Sequence, residues 1–133
     1  MRMTKLAVLG LVAALSACGD STGTGSPGTF LVSLETPNSD DGAVAVTIVG
    51  TGLTNVTSVG SSNRLYWRLV SATEMRVLVF GSLAAGPLFS VDVGDVRHPD
   101  RYAGTVTEVA RRNDEQRGDL VGYTISFAKA AAP

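Results

Sequence analysis

GAVAVTIVG, Gly42 to Gly50, is the stretch that decides the fold. Val44, Val46 and Ile48 alternate with Ala45, Thr47 and Val49. A period of two sends successive side chains to opposite faces of an extended strand. A helix would need apolar residues at i, i+3 and i+4, and that spacing is not sustained here. Val, Ile and Thr are branched at Cβ and favour the pleated surface over the helix.

The same alternation recurs on both sides of this run. Upstream, Phe30, Val32 and Leu34 alternate with Leu31, Ser33 and Glu35. Downstream follow Leu65, Trp67 and Leu69, then Met75, Val77 and Val79, then Phe89, Val91 and Val93. A last run is Val121, Tyr123, Ile125 and Phe127. Between the runs stand turn-forming clusters at 37–42, 50–55, 60–63, 71–73, 84–87, 97–100 and 113–118. Short strands with such punctuation predict an all-β fold, an antiparallel β-sandwich of seven to nine strands with one core between its sheets. The stretch Glu108 to Gln116 fits this pattern least. Its composition tolerates a short helix, although Val109 and Ala110 give that helix little to bury.

The N-terminus reads differently. Met1 to Lys5 carries Arg2 and Lys5, and Leu6 to Leu15 is an uncharged apolar run. Ten residues at 1.5 Å each are too few to cross a ~30 Å hydrocarbon core, so the run reads as the apolar part of a signal peptide. Leu15, Ser16, Ala17 and Cys18 follow. They resemble the bacterial lipobox at every position. The resemblance implies cleavage before Cys18 and lipid attachment to its sulfur, with the chain exported and anchored in the cell envelope. Cys18 is the only cysteine, so it has no disulfide partner within the chain. Two or more acyl chains give stable anchoring where one is marginal. The expected organisation is a signal peptide over 1–17, a lipidated cysteine and linker over 18–28, and a sandwich domain over 29–133. The linker, GDSTGTGSPG after Cys18, is built of Gly, Ser, Thr, Pro and Asp. Such a coil spans roughly 17 Å root-mean-square.

Charge narrows the partners. The chain has 11 basic and 12 acidic side chains, and removal of 1–17 takes Arg2 and Lys5, leaving nine against twelve. A mildly acidic domain lacks the basic footprint of a nucleic-acid binder.

The turn ETPNSDDGAV, Glu35 to Val44, poses the question of a metal. Calcium needs six to eight oxygens. The Asp-x-Asp-x-Asp-Gly loop is absent, and no glutamate stands at the required distance. Asn38, Ser39, Asp40 and Asp41 suit a turn instead, with Pro37 before them and Gly42 after. Asp92, Asp95 and Asp100 are distant candidates to complete a cation site. No metal and no cofactor is expected. Enzyme signatures are also thin. His98 is the only histidine and reads as a solvent-exposed loop residue before Pro99. Gly50 to Leu53 lacks the Lys-Ser/Thr of a phosphate loop. Nothing in the order of Glu35, Glu74, Glu108 and Glu115 pairs two of them across a cleft.

Arg64-Leu65-Tyr66-Trp67-Arg68 is the most informative surface stretch. Period two sends Leu65, Trp67 and Leu69 inward and Arg64, Tyr66 and Arg68 outward. Tyr and Arg are enriched where binding energy concentrates. The plainer reading is a solvated strand face with Arg68 paired to Glu74 across a short turn; a two-residue shift sets Arg68 against Arg76, which is unfavourable.

From Asp40 to Val56, and again over Gly81 to Val96 and Tyr102 to Ala110, the chain resembles a divergent cohesin-type, carbohydrate-binding-module-like domain. The resemblance implies a nine-stranded jelly-roll sandwich. The Tyr-Asp-Pro-x-x-Leu element of cohesins is missing between Val56 and Val70, so neither dockerin binding nor any binding residue carries over. The signal and Cys18 together resemble small bacterial lipoproteins. The expected function is a lipid-anchored, non-catalytic envelope module that binds protein or carbohydrate. The alternatives are a structural envelope component without a discrete ligand and a carboxylate-dependent hydrolase. An exposed Tyr66 between Arg side chains favours the first, and a patch-free surface favours the second.

Overall fold

The computed structural model describes residues 25–131. Within them lie eight strands: β1 (Gly28–Glu35), β2 (Asp41–Val49), β3 (Val56–Ser58), β4 (Arg64–Ser71), β5 (Glu74–Leu83), β6 (Gly86–Val93), β7 (Ala103–Arg111) and β8 (Thr124–Lys129). A single 3₁₀ turn spans Pro99–Arg101. The strands form two antiparallel sheets, ordered β3-β6-β1-β8 and β4-β5-β2-β7. Eight strands fall within the expected seven to nine, one fewer than the cohesin likeness implies. Pairs β1·β8, β2·β7, β3·β6 and β4·β5 nest inside one another like a rolled-up hairpin, the pairing of a jelly roll. Every connection but β4–β5 carries the chain from one sheet to the other.

Alternation places the core as expected over most of its length. Phe30, Val32 and Leu34 of β1 and Phe89, Val91 and Val93 of β6 face Val44, Val46 and Ile48 of β2 and Met75, Val77 and Val79 of β5. All twelve are buried. The rings of Phe30 and Tyr102 meet edge-on at 5.2 Å, and those of Phe30 and Phe127 at 5.8 Å. Gly50 admits the Tyr102 ring: a Cβ there would lie 2.2 Å from it. No helix among the described residues is long and apolar enough to cross a membrane.

Four local readings need correction. The stretch from Glu108 is not helical; it belongs to β7, which runs to Arg111. Ala45 pairs with Glu108 and Val46 with Val106, so Thr107 is bulged out. The extra residue brings Val106 and Val109, three apart, to the same buried face. That spacing imitates a helix. Second, Val121 is not a strand residue. It sits in the turn before β8 and is 80% exposed. Third, Asp41 does not belong to the turn. It opens β2 and is fully buried. Fourth, Trp67 is not core. β4 is an edge strand, and the facing edge strand β3 has three residues against its eight. Leu65 is half-buried, but Trp67 is 37% and Leu69 48% exposed.

Candidate functional site

Each end of the sandwich carries a polar cluster, and between them one sheet presents a groove. At the end where β1 leads into β2, Thr36 Oγ1 donates to Asp41 Oδ2 at 2.8 Å and Arg117 Nε donates to Asp41 Oδ1 at 2.7 Å. The Tyr123 hydroxyl lies 3.0 Å from both Asp41 oxygens and accepts from Asn38 Nδ2 at 2.7 Å. Arg117 also pairs with Asp40. Asn38 and Asp40 therefore turn the chain, and Asp41 is a buried carboxylate whose cation is a guanidinium. No group of three His, Cys, Asp or Glu side chains is placed to hold a metal ion among the described residues.

At the other end, Asp95 gathers the chain around itself. It accepts from the backbone N–H of Ser26 at 3.2 Å and of Arg97 at 3.1 Å, and from Arg97 Nε at 3.3 Å. His98 Nδ1 lies 2.7 Å from its other oxygen. The His98 ring is only half open to solvent, so the expectation of a freely exposed histidine needs that adjustment. The hydrogen bond with His98 is the main cause that holds the Asp95 carboxyl well below the usual carboxylate range; burial opposes it, and the bonds from Ser26 and Arg97 reinforce it. Asp92 is engaged by Thr29 Oγ1 at 2.7 Å. Ser26 and Gly28, placed at the end of the expected linker, are bonded to Asp95 and paired in β1.

The groove lies on the outer face of β4-β5-β2-β7. Strand pairing lines up two rungs across it. Tyr66 stands opposite Leu78, Leu78 opposite Ala45, and Ala45 opposite Glu108. One rung along, Arg68 stands opposite Arg76, Arg76 opposite Thr47, and Thr47 opposite Thr105. Neighbouring strands are ~4.8 Å apart, so each rung spans roughly 14 Å. Ala45 and Thr47 are small and form the floor between larger walls. The space above them is about 550 Å³. Tyr66 is 61% exposed and meets Phe80 edge-on at 6.1 Å.

The expected pairing of Arg68 with Glu74 is not made. The bulge between Leu69 and Ser71 sets Glu74 opposite Ser71, and the register puts Arg68 beside Arg76. Glu74 instead lies 3.6 Å from Arg76 on its own strand. Like charges opposite each other are unfavourable, so this pair is costly to the free domain and suits an anionic or hydrogen-bonding ligand. Of the three residues singled out in sequence, Tyr66 and Arg68 meet in the groove. Arg64 shares their face but stands opposite Phe80, outside the lining. Arg76, Leu78, Ala45, Thr47, Thr107 and Glu108 also line the groove, with Val46, Trp67 and Val77. They are brought together by pairings between segments distant in sequence. Cys18 and its lipobox, Leu15, Ser16 and Ala17, lie outside the described residues.

No family model matches the chain, and comparison with the curated proteins and with the solved structures finds no match.

Proposed function

We propose that this chain is a lipid-anchored, non-catalytic module of a bacterial cell envelope that binds carbohydrate on the outer face of β4-β5-β2-β7. The observation that carries the reading is the groove in which the exposed Tyr66 ring adjoins Arg68 and Arg76 above a floor of Ala45 and Thr47. A phenol ring offers a flat apolar platform with a polar tip. The guanidinium groups donate in a fixed planar fork to carboxylate or paired hydroxyl oxygens. Glu108, Thr47 and Thr107 supply acceptors and donors for further hydroxyls. The signal-like N-terminus and Cys18 support the envelope location and the anchor.

The test uses the full chain in a mild non-ionic detergent against an array of bacterial and plant polysaccharides. Tyr66→Ala should weaken retention at least about tenfold, a loss of ~1.4 kcal/mol. Its melting midpoint should stay where it is, because the ring is exposed. Retention equal to that of the unaltered chain, on every polysaccharide that binds, rejects the groove as the binding site.

A further inference from the structure

We infer that the free edge of β4 docks an extended segment of a partner protein, apolar on one side and acidic on the other. This inference stands on the strand's edge and does not need the groove to hold sugar.

Among the described residues, β4 pairs with β5 on one side and with no strand on the other. A sheet edge presents unpaired N–H and C=O groups, and proteins blunt it with short strands, Lys, Pro or a covering loop. The other three edges here are treated in such ways. β3 has three residues. β7 is partly covered by the loop beyond it, where Arg111 N–H bonds Glu115 C=O and Arg117 N–H bonds Val109 C=O, both at 2.8 Å. β8 has six residues, its outward side chains are Thr124, Ser126 and Ala128, and it ends on Lys129. β4 runs eight residues, has no Pro or Lys, and has exposed apolar side chains on both faces: Trp67 and Leu69 on one, Tyr66 and Val70 on the other.

Charge selects the occupant. The outer row of β4 carries Arg64 and Arg68 and no acid, and Glu74 of the neighbouring strand lies against Arg76. A second copy of β4 paired about a two-fold axis would place four arginines on one face with no carboxylate from either copy of that strand. A strand with acidic residues on that face and apolar residues on the Trp67–Leu69 face answers both. The mode is strand addition, in which backbone hydrogen bonds give affinity and alternate side chains give specificity.

Trp67 is the only tryptophan in the chain, so its fluorescence reports on β4, and backbone-methylated peptides separate its edge from the adjoining groove. The probe is a blocked octapeptide of alternating Val and Glu, titrated into the full chain in non-ionic detergent. Emission should move to shorter wavelength and saturate, and a Val/Lys peptide should leave it unchanged. In a strand, alternate N–H groups point to opposite edges. Of two peptides N-methylated at every Val or at every Glu, one should therefore bind like the parent and the other should not bind. The double variant Arg64→Glu/Arg68→Glu should weaken the Val/Glu peptide at least about tenfold and gain binding of Val/Lys. No shift with Val/Glu, equal shifts with both charge types, or the same result from both methylated peptides overturns the inference. So does a concentration-dependent dimer whose formation alone shifts Trp67. Loss of polysaccharide retention in Tyr66→Ala bears on the groove and leaves these readouts standing.

Discussion

Asp41 has no exposure to solvent, and its charge is answered by Arg117, 76 residues further on. Thr36 and Tyr123 hydroxyls take up the rest of its bonding capacity. Removing one partner of a buried pair leaves the other charge uncompensated and costs ~3–5 kcal/mol. Arg117→Met should therefore destabilise the domain by that order, read as a lower urea midpoint at unchanged slope. Asp95 sets a second residue-scale expectation. Its folded carboxyl titrates below its unfolded value of about 3.9. The native state thus binds fewer protons in acid than the unfolded state. The stabilisation it gives is complete above the unfolded value and is lost as pH falls toward the folded one. Asp40 is lowered as well, since Arg117 outweighs the opposing effect of burial. Melting midpoints between pH 7 and pH 2 should fall more steeply below about pH 4 in the unaltered chain than in Asp95→Asn. The variant should keep only the part of the slope owed to the other end of the sandwich.

Two aromatic residues in regular strands separate what alternation predicts from what position in the sheet decides. Phe89 lies in β6, an inner strand, and is fully buried. Trp67 has the same period-two placement but lies in the edge strand β4, opposite a strand of three residues. Phe89→Ala should cost ~3–5 kcal/mol, the range for truncating a large buried ring. Trp67→Ala should cost less than ~1 kcal/mol, and Trp67 should be quenched readily by acrylamide in the unliganded protein. Chemical denaturation of the two variants checks both. A Trp67→Ala loss as large as that of Phe89→Ala would return Trp67 to the core. The β7 bulge makes the complementary point. Thr107 steps out of register, its Oγ1 donating to Ala45 C=O at 3.2 Å, and the buried pair Val106 and Val109 takes a spacing that period two does not describe.

For the whole molecule, the route of the chain explains how few local contacts define the site. Only β4 and β5 are neighbours both in sequence and in a sheet. The groove's lining comes from β4, β5, β2 and β7, which span residues 41–111. The chain enters the fold at the Asp95 end, where Ser26 C=O accepts from Val96 N–H at 2.8 Å. A lipid on Cys18 would hold the sandwich by that end and leave the groove on its flank. Cys18→Ser should shift the protein from the membrane pellet to the soluble fraction after cell disruption, because one lost thioether removes the attachment point. A variant that still sediments with membranes excludes the anchor.

The sequence by itself determined the class of fold and most of its interior. A two-residue period of Val, Ile and Leu, repeated from Phe30 to Phe127 without a sustained helical pattern to cover it, has one low-energy outcome: sheets facing each other over their apolar sides. The inward residues of β1, β2, β5 and β6 were legible for that reason. Only the tertiary structure decided the register of β4 on β5, the exposure of Trp67, the bulge at Thr107 and the buried pairing of Asp41 with Arg117. Each depends on which strand lies beside or opposite another, and on how far it extends. The Thr107 bulge and the Asp41–Arg117 pair join residues tens of positions apart, so no local pattern of residues encodes them.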